Sequence, residues 1–164
     1  MKPYDHLEWD PVSLACELKF KDVTEFYRDG RNGGPLLEKR VIAKFGYTPI
    51  GKQKSSGADA LDEQGNRWEI RSITARGVHF RPSAMTGSGR KFKEAGFLQK
   101  LNSIQGYILG DIQEFPVVPI WFVSVDTVQK WYKEKLLGKT ATSARKKIRK
   151  LIAALPENLT SVVA

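Results

Sequence analysis

The chain has few of the residues that build covalent or zinc-stapled scaffolds: one cysteine, Cys16, and two histidines, His6 and His79, in 164 residues. One thiol excludes an internal disulfide and fits a reducing, cytoplasmic setting. Cys16 lies among apolar residues at helical spacing and reads as core filler. Neither histidine has ligand neighbours at zinc-site spacing, and His6 reads as incidental. No apolar run approaches eighteen residues, and Met1-Lys2-Pro3-Tyr4-Asp5-His6 lacks the apolar stretch of a signal peptide, so neither a membrane span nor a secretory leader is expected. No Ser, Cys or Tyr stands in a triad-like setting, which argues against covalent catalysis. Acids are scarce beside bases, 18 Asp and Glu against 27 Lys and Arg, leaving a formal charge of +9. That balance favours a polyanionic partner. Only the C-terminal segment partly resembles a basic membrane-surface helix, so nucleic acid is preferred over an acidic membrane.

Hydrophobic content of 41% and charged content of 27% are ordinary for a globular chain. The length fits one domain that buries a core without staples. It divides into an N-terminal helical arm (1–34), a core (35–125) and basic C-terminal helices (126–164). Asp10-Pro11 reads as a helix cap, and Pro11 to Tyr27 as a helix interrupted near Lys19-Phe20-Lys21. Arg28 to Gly34 is rich in turn formers and reads as a loop, with Pro35 to Phe45 a second helix closed by Gly46. Tyr47 to Gly51 is a short strand. Lys91 to Leu101 is a helix whose apolar set is Phe92, Ala95, Phe97, Leu98 and Leu101. Gly106–Ile112 and Val117–Val125 are apolar strands. Asp126-Thr127 caps a helix from Val128 to Leu137, and a last helix runs from Ser143 to Leu155. This order predicts an α/β sandwich with a mixed central sheet flanked by helices.

The most informative stretch is Ser56 to Thr74. Two alternating runs, Ala58 to Leu61 and Arg67 to Ile73, flank Asp62-Glu63-Gln64-Gly65-Asn66, so a β-hairpin is expected. Side chains alternate along a strand, placing Glu69, Arg71 and Ile73 on one face and Trp68, Ile70 and Ser72 on the other. Pairing that sets Asp59 across from Glu69 brings two carboxylates and a guanidinium together. Nearby carboxylates repel unless a cation separates them, and a hard divalent ion with oxygen ligands is the usual occupant. By spacing alone, an ordinary exposed hairpin with a mixed Glu–Arg face is the plainer reading.

The run Gly57-Ala58-Asp59-Ala60-Leu61-Asp62, then Gly65, then Trp68-Glu69-Ile70-Arg71-Ser72-Ile73 resembles the active-site hairpin of the PD-(D/E)xK nucleases, type II restriction endonucleases above all. The resemblance implies a restriction-endonuclease-like fold and a Mg²⁺-dependent hydrolase, with Mn²⁺ able to substitute. Its substrate would be double-stranded DNA cut at a specific sequence, as in restriction–modification, by direct attack of metal-activated water. It implies Asp59, Glu69 and the carbonyl of Ile70 as metal ligands and Arg71 as the catalytic cation. It also implies a homodimer or partner subunit, each copy cutting one strand. Where the family has lysine this chain has Arg71, which stays protonated and cannot take a proton from water. A natural variant, a weakened enzyme and a degenerate site that only binds are all compatible with that residue. A structure-specific or nicking nuclease of the same fold (resolvase or repair) and a catalytically silent DNA-binding module are the alternatives.

The long segment after the hairpin carries Arg76, His79, Arg81 and Arg90, with Lys91 and Lys93 beyond. Functional loops on rigid scaffolds tend to be long, so this one is expected to lie against DNA, with Arg76 and Arg81 at guanine edges or phosphates. From Lys139 to Lys150 there are six bases and no acid. Arg145, Lys146, Lys147 and Arg149 are the candidates there for phosphate contact, with a salt-dependent affinity. Glu38 and Lys100 are accessory candidates. Glu38 reads first as a solvated helix glutamate. Lys100 reads first as a solvated lysine, and otherwise as a stand-in for the missing lysine.

Overall fold

The computed structural model describes residues 18–51, 57–85 and 89–156. The cap at Asp10, most of the first expected helix, His6, Cys16 and Ser56 lie outside the described residues. Among the described residues, helices α1 (Phe20–Arg28) and α2 (Gly30–Phe45) come first, followed by strands β1 (Thr48–Pro49), β2 (Ala60–Leu61), β3 (Arg67–Ile73) and β4 (Val78–His79). Helix α3 (Glu94–Leu101), strands β5 (Gly106–Asp111) and β6 (Ile120–Ser124), helix α4 (Val125–Lys133), strand β7 (Thr142–Ser143) and helix α5 (Arg145–Ala153) follow. The main sheet has the order β1-β2-β3-β5-β6. Strands β3 and β5 are its one parallel pair, with Glu69 opposite Tyr107, and the other pairs are antiparallel. The expected mixed α/β sandwich is therefore present. Among the described residues no helix is long and apolar enough to cross a membrane.

Each face of the sheet has its own core, as the alternation along β3 requires. On one face Leu37 and Val41 of α2 meet Ala60, Trp68, Ile70, Ile108 and Phe122. On the other, Phe97 and Leu101 of α3, Val128 and Trp131 of α4, and Ile148 and Ile152 of α5 close over Ile73, Tyr107, Leu109 and Val123. Glu69 and Arg71 thus share their face with Ile73, beneath the three C-terminal helices.

Several elements differ from expectation for physical reasons. Gly30 to Gly34 is helix, not loop: Asp29 caps it by accepting from the Arg31 N–H at 2.8 Å, so the border expected at residue 34 falls inside α2. The glycines there serve packing. A Cβ at Gly33 would overlap the Tyr27 carbonyl, and one at Gly30 would lie 2.8 Å from Thr74 Cγ2. Helix α3 begins at Glu94, after extended Lys93, and Ala95 is exposed whereas Lys100 is buried. Helix α4 starts earlier than expected because the Ser124 hydroxyl, not Asp126-Thr127, caps it by accepting from the Thr127 N–H at 3.2 Å. Ser143, the expected start of the last helix, is instead strand together with Thr142, pairing with Val78-His79, and the helix begins at Arg145. That small sheet gives the segment after β3 regular structure and ties α5 to it.

Candidate active site

The hairpin forms as its turn residues dictate. Asp62 accepts from the backbone N–H of Asn66 at 2.8 Å, and Gly65 takes the positive φ of 80° that the turn needs. Pairing sets Ala60 opposite Trp68 and Leu61 opposite Arg67. One residue further, the Asp59 N–H donates to the Trp68 carbonyl at 2.9 Å, and the Asp59 carboxylate accepts from the Ile70 N–H at 2.8 Å. Asp59 is therefore fixed beside Glu69, and its charge acts on both Glu69 and Lys100.

Glu69 is 3% exposed on the central strand of the sheet. Its Oε1 receives two cations at once: Arg71 Nη2 from the same strand and Lys100 Nζ, at 2.5 Å, from α3. Lys100 is not the solvated lysine of the first reading. It is 6% exposed, and its ammonium lies 5.9 Å from the ring centroid of Tyr107, whose phenol donates to the Phe80 carbonyl at 2.6 Å. Two carboxylates and two cations sum to zero formal charge, which is how a largely dry sheet face tolerates them.

Burial sets the proton chemistry. It pushes the Glu69 carboxyl above the ordinary carboxylate range, against the opposing pull of Arg71 and then Lys100. It pushes the Lys100 ammonium below the usual lysine value, with Glu69 opposing. Lys100 is thus the cation of the pair that can give up a proton, which Arg71 cannot.

Arg71 has further partners. Its Nη2 donates to Ser83 Oγ at 3.2 Å and to the Arg81 carbonyl at 3.4 Å, while its buried Nε has no hydrogen-bond partner among the described residues. Arg90 holds the Ser83 carbonyl at 2.9 Å. His79, exposed as a residue but with its ring partly shielded by protein, stands near these groups. Burial lowers its pKa below the usual 6.5, and the Arg81 and Arg71 charges add to that. Arg76 is exposed on the turn that joins Thr74 to Gly77, and Lys91 and Lys93 are exposed before α3.

The other candidates fall elsewhere. Glu38 is half-buried on α2, the helix that packs on the opposite face of the sheet from Glu69. On α5, Lys146 and Lys147 are exposed. Arg145 and Arg149 instead converge on Asp111, a fully buried carboxylate at the end of β5. Arg145 Nε reaches both its oxygens at 3.1 Å, Arg149 Nη1 reaches Oδ2 at 2.9 Å, and Arg145 also pairs with Glu114. Arg149 stacks on Trp121 as well, 4.8 Å from the ring centroid. Their first task is to fasten α5 to the sheet, and the same helix presents Lys146 and Lys147 outward. Asp111 is the residue that sequence reasoning missed, and an aspartate ending an otherwise apolar strand was the signal. A cavity of about 990 Å³ lies across the sheet, lined by Leu36, Arg40, Phe115 and Val118 among others, with no carboxylate in its lining.

No protein-family model matches the chain, and no curated protein matches it.

Proposed function

We propose that this protein is a Mg²⁺-dependent endonuclease of the PD-(D/E)xK type that hydrolyses double-stranded DNA at a specific sequence, in the manner of a type II restriction enzyme. One observation carries the reading. Arg71 and Lys100 come from a hairpin strand and a helix far apart in the chain, yet meet at one buried Glu69 oxygen, with Asp59 held on the Ile70 N–H beside them. Each buried charge costs several kcal/mol of desolvation, about 3–5 when left unpaired; the Asp111 cluster offsets that cost while fastening α5, whereas this one sets its two acids at the hairpin positions that resemble the nuclease motif. The donors available to a metal are Asp59, Glu69 and the Ile70 carbonyl. An all-oxygen set suits a hard ion that keeps much of its water, and Mn²⁺ could replace it. When bound, the ion would supply fixed positive charge against the charge growing on phosphate and would acidify a water molecule.

The side chains divide the remaining work. Arg71 neutralises a phosphate oxygen of the scissile group, with its Nε free to donate. Lys100, made less basic by burial, would first release its ammonium proton to solvent and then, as the neutral amine, accept one from the attacking water, the task arginine cannot perform. His79, Arg81 and Arg76 lie along the segment that follows the site strand and contact the bases or backbone beside it. Arg90, Lys91, Lys93, Lys146 and Lys147 add phosphate contacts. A second reading, a silent DNA-binding module, draws on Glu69 being neutralised by two cations of its own chain.

Supercoiled plasmid incubated with Mg²⁺ or Mn²⁺ tests the proposal. Discrete linear fragments that vanish with Asp59→Ala support the nuclease. Retained DNA binding without cleavage by the wild type or by Arg71→Lys supports the silent module.

A further inference from the structure

Arg71 does more than stand beside Glu69. Its one Nη2 group joins the buried carboxylate to Ser83 Oγ and the Arg81 carbonyl. The segment so held continues to Met85, which packs on α3 at Gly96: a Cβ placed at Gly96 would run into the Met85 methyl. Helix α3 in turn delivers Lys100 back to Glu69. The contacts therefore close a ring from Glu69 through Arg71, Ser83, Met85 and α3 to Lys100. Within it, Arg71 links the site strand to the 81–83 segment through a charged group. Two of its features show a position open to change. Its Nε is buried with no acceptor among the described residues, and it shares Glu69 Oε1 with a second cation that alone could neutralise that oxygen.

We propose that Arg71 is a positioning residue that latches the 81–83 segment to Glu69 in the free protein. A phosphate of bound DNA draws the guanidinium away, which removes one of the two cations that compete with a divalent ion for Glu69, leaving Lys100, and releases the segment toward DNA. This rests on the nuclease reading, and it adds that cation affinity and DNA binding are coupled through Arg71. The direction follows from the charges. A guanidinium on Glu69 competes with any metal for the same oxygen, and a phosphate is a better partner for its planar fork than one shared carboxylate oxygen. Linkage makes the effect reciprocal, so the cation tightens DNA binding by the same factor.

Calorimetric titration of the DNA-free full-length chain with Mn²⁺ tests this, alongside amide hydrogen exchange over residues 80–85. Arg71→Gln removes the competing cation and the latch together. It is expected to bind Mn²⁺ about tenfold tighter than wild type and to exchange faster over 80–85. A damaged fold would lower the affinity, so a gain is not a structural side effect. Arg71→Lys keeps a cation on Glu69 but cannot span to Arg81 and Ser83. Faster exchange with Mn²⁺ affinity near wild type is expected, and this variant remains informative if Arg71→Gln fails to fold. Equal Mn²⁺ affinity in wild type and Arg71→Gln, with binding lost in Asp59→Ala, would overturn the latch alone. Unchanged exchange in Arg71→Lys would also overturn it. No Asp59-dependent Mn²⁺ binding in any variant would overturn the nuclease reading and the latch with it.

Discussion

Replacing Lys100 with methionine separates the structural and chemical roles of the buried cluster. Lys100 Nζ lies 2.5 Å from Glu69 Oε1, and both side chains are 4% exposed, so neither end of the pair is solvated. Deleting one partner of a buried pair costs about 3–5 kcal/mol when the other is left bare. Lys100→Met leaves Glu69 paired with Arg71, and the methionine stem fills most of the space of the lysine methylenes. The cost should therefore fall below that range, at about 1–2 kcal/mol. Glu69→Gln strands buried Lys100 beside half-buried Arg71 and should cost about 3–5 kcal/mol. The double variant should lose less than the sum, with a coupling of about 1–2 kcal/mol. Urea unfolding at neutral pH measures all three. Cleavage of plasmid by folded Lys100→Met should fall about 100-fold or more, as expected for loss of a proton acceptor. The reasoning is refuted if Lys100→Met destabilises as much as Glu69→Gln, or if it unfolds as expected yet cuts at the wild-type rate.

Further outcomes follow from other parts of the molecule. His79 is held below 6.5 in the free protein, by burial first and then by Arg81 and Arg71, and a bound phosphate would raise it again. Binding then takes up a proton, so DNA affinity by fluorescence anisotropy should rise as pH falls below 6.5, and His79→Gln should flatten that rise. Gly77 has φ of 111°, and a Cβ there would overlap the Ser143 carbonyl across the β4–β7 pair. Gly77→Ala should cost about 3 kcal/mol in urea unfolding and loosen α5. On α5, Lys146→Ala and Lys147→Ala should each reduce the salt dependence of DNA binding by about one counterion with stability unchanged. Arg145→Ala, which leaves fully buried Asp111 with Arg149 and the Gln113 N–H, should instead destabilise by about 2–3 kcal/mol.

How much of this was legible in the sequence depended on how local each cause is. The 56–74 hairpin could be read because its turn residues and its two-residue alternation lie within a few positions of each other. The same alternation assigned Glu69 and Arg71 to the face that the structure gives them. The glycines after Arg28 misled because glycine marks turns and also marks places where backbones touch. Only the packing of α2 on Tyr27 and Thr74 shows that the second cause operates. Lys100 did carry a signal: it sits three residues after Phe97 and one before Leu101, on the buried phase of α3. The rule that lysines face water outweighed that phase, since the carboxylate that overrides it lies 31 positions earlier. Asp111 was hidden for the same reason, with both arginine partners more than thirty residues further on.

The most direct test of the central claim uses an end-labelled pool of random-sequence duplex DNA, with wild type and Glu69→Gln compared in Mg²⁺. Cleavage by the wild type at one shared sequence, abolished by chelation of the metal and absent with Glu69→Gln, is the predicted result. A pool that stays intact in both Mg²⁺ and Mn²⁺ while the wild type still binds it would contradict the account.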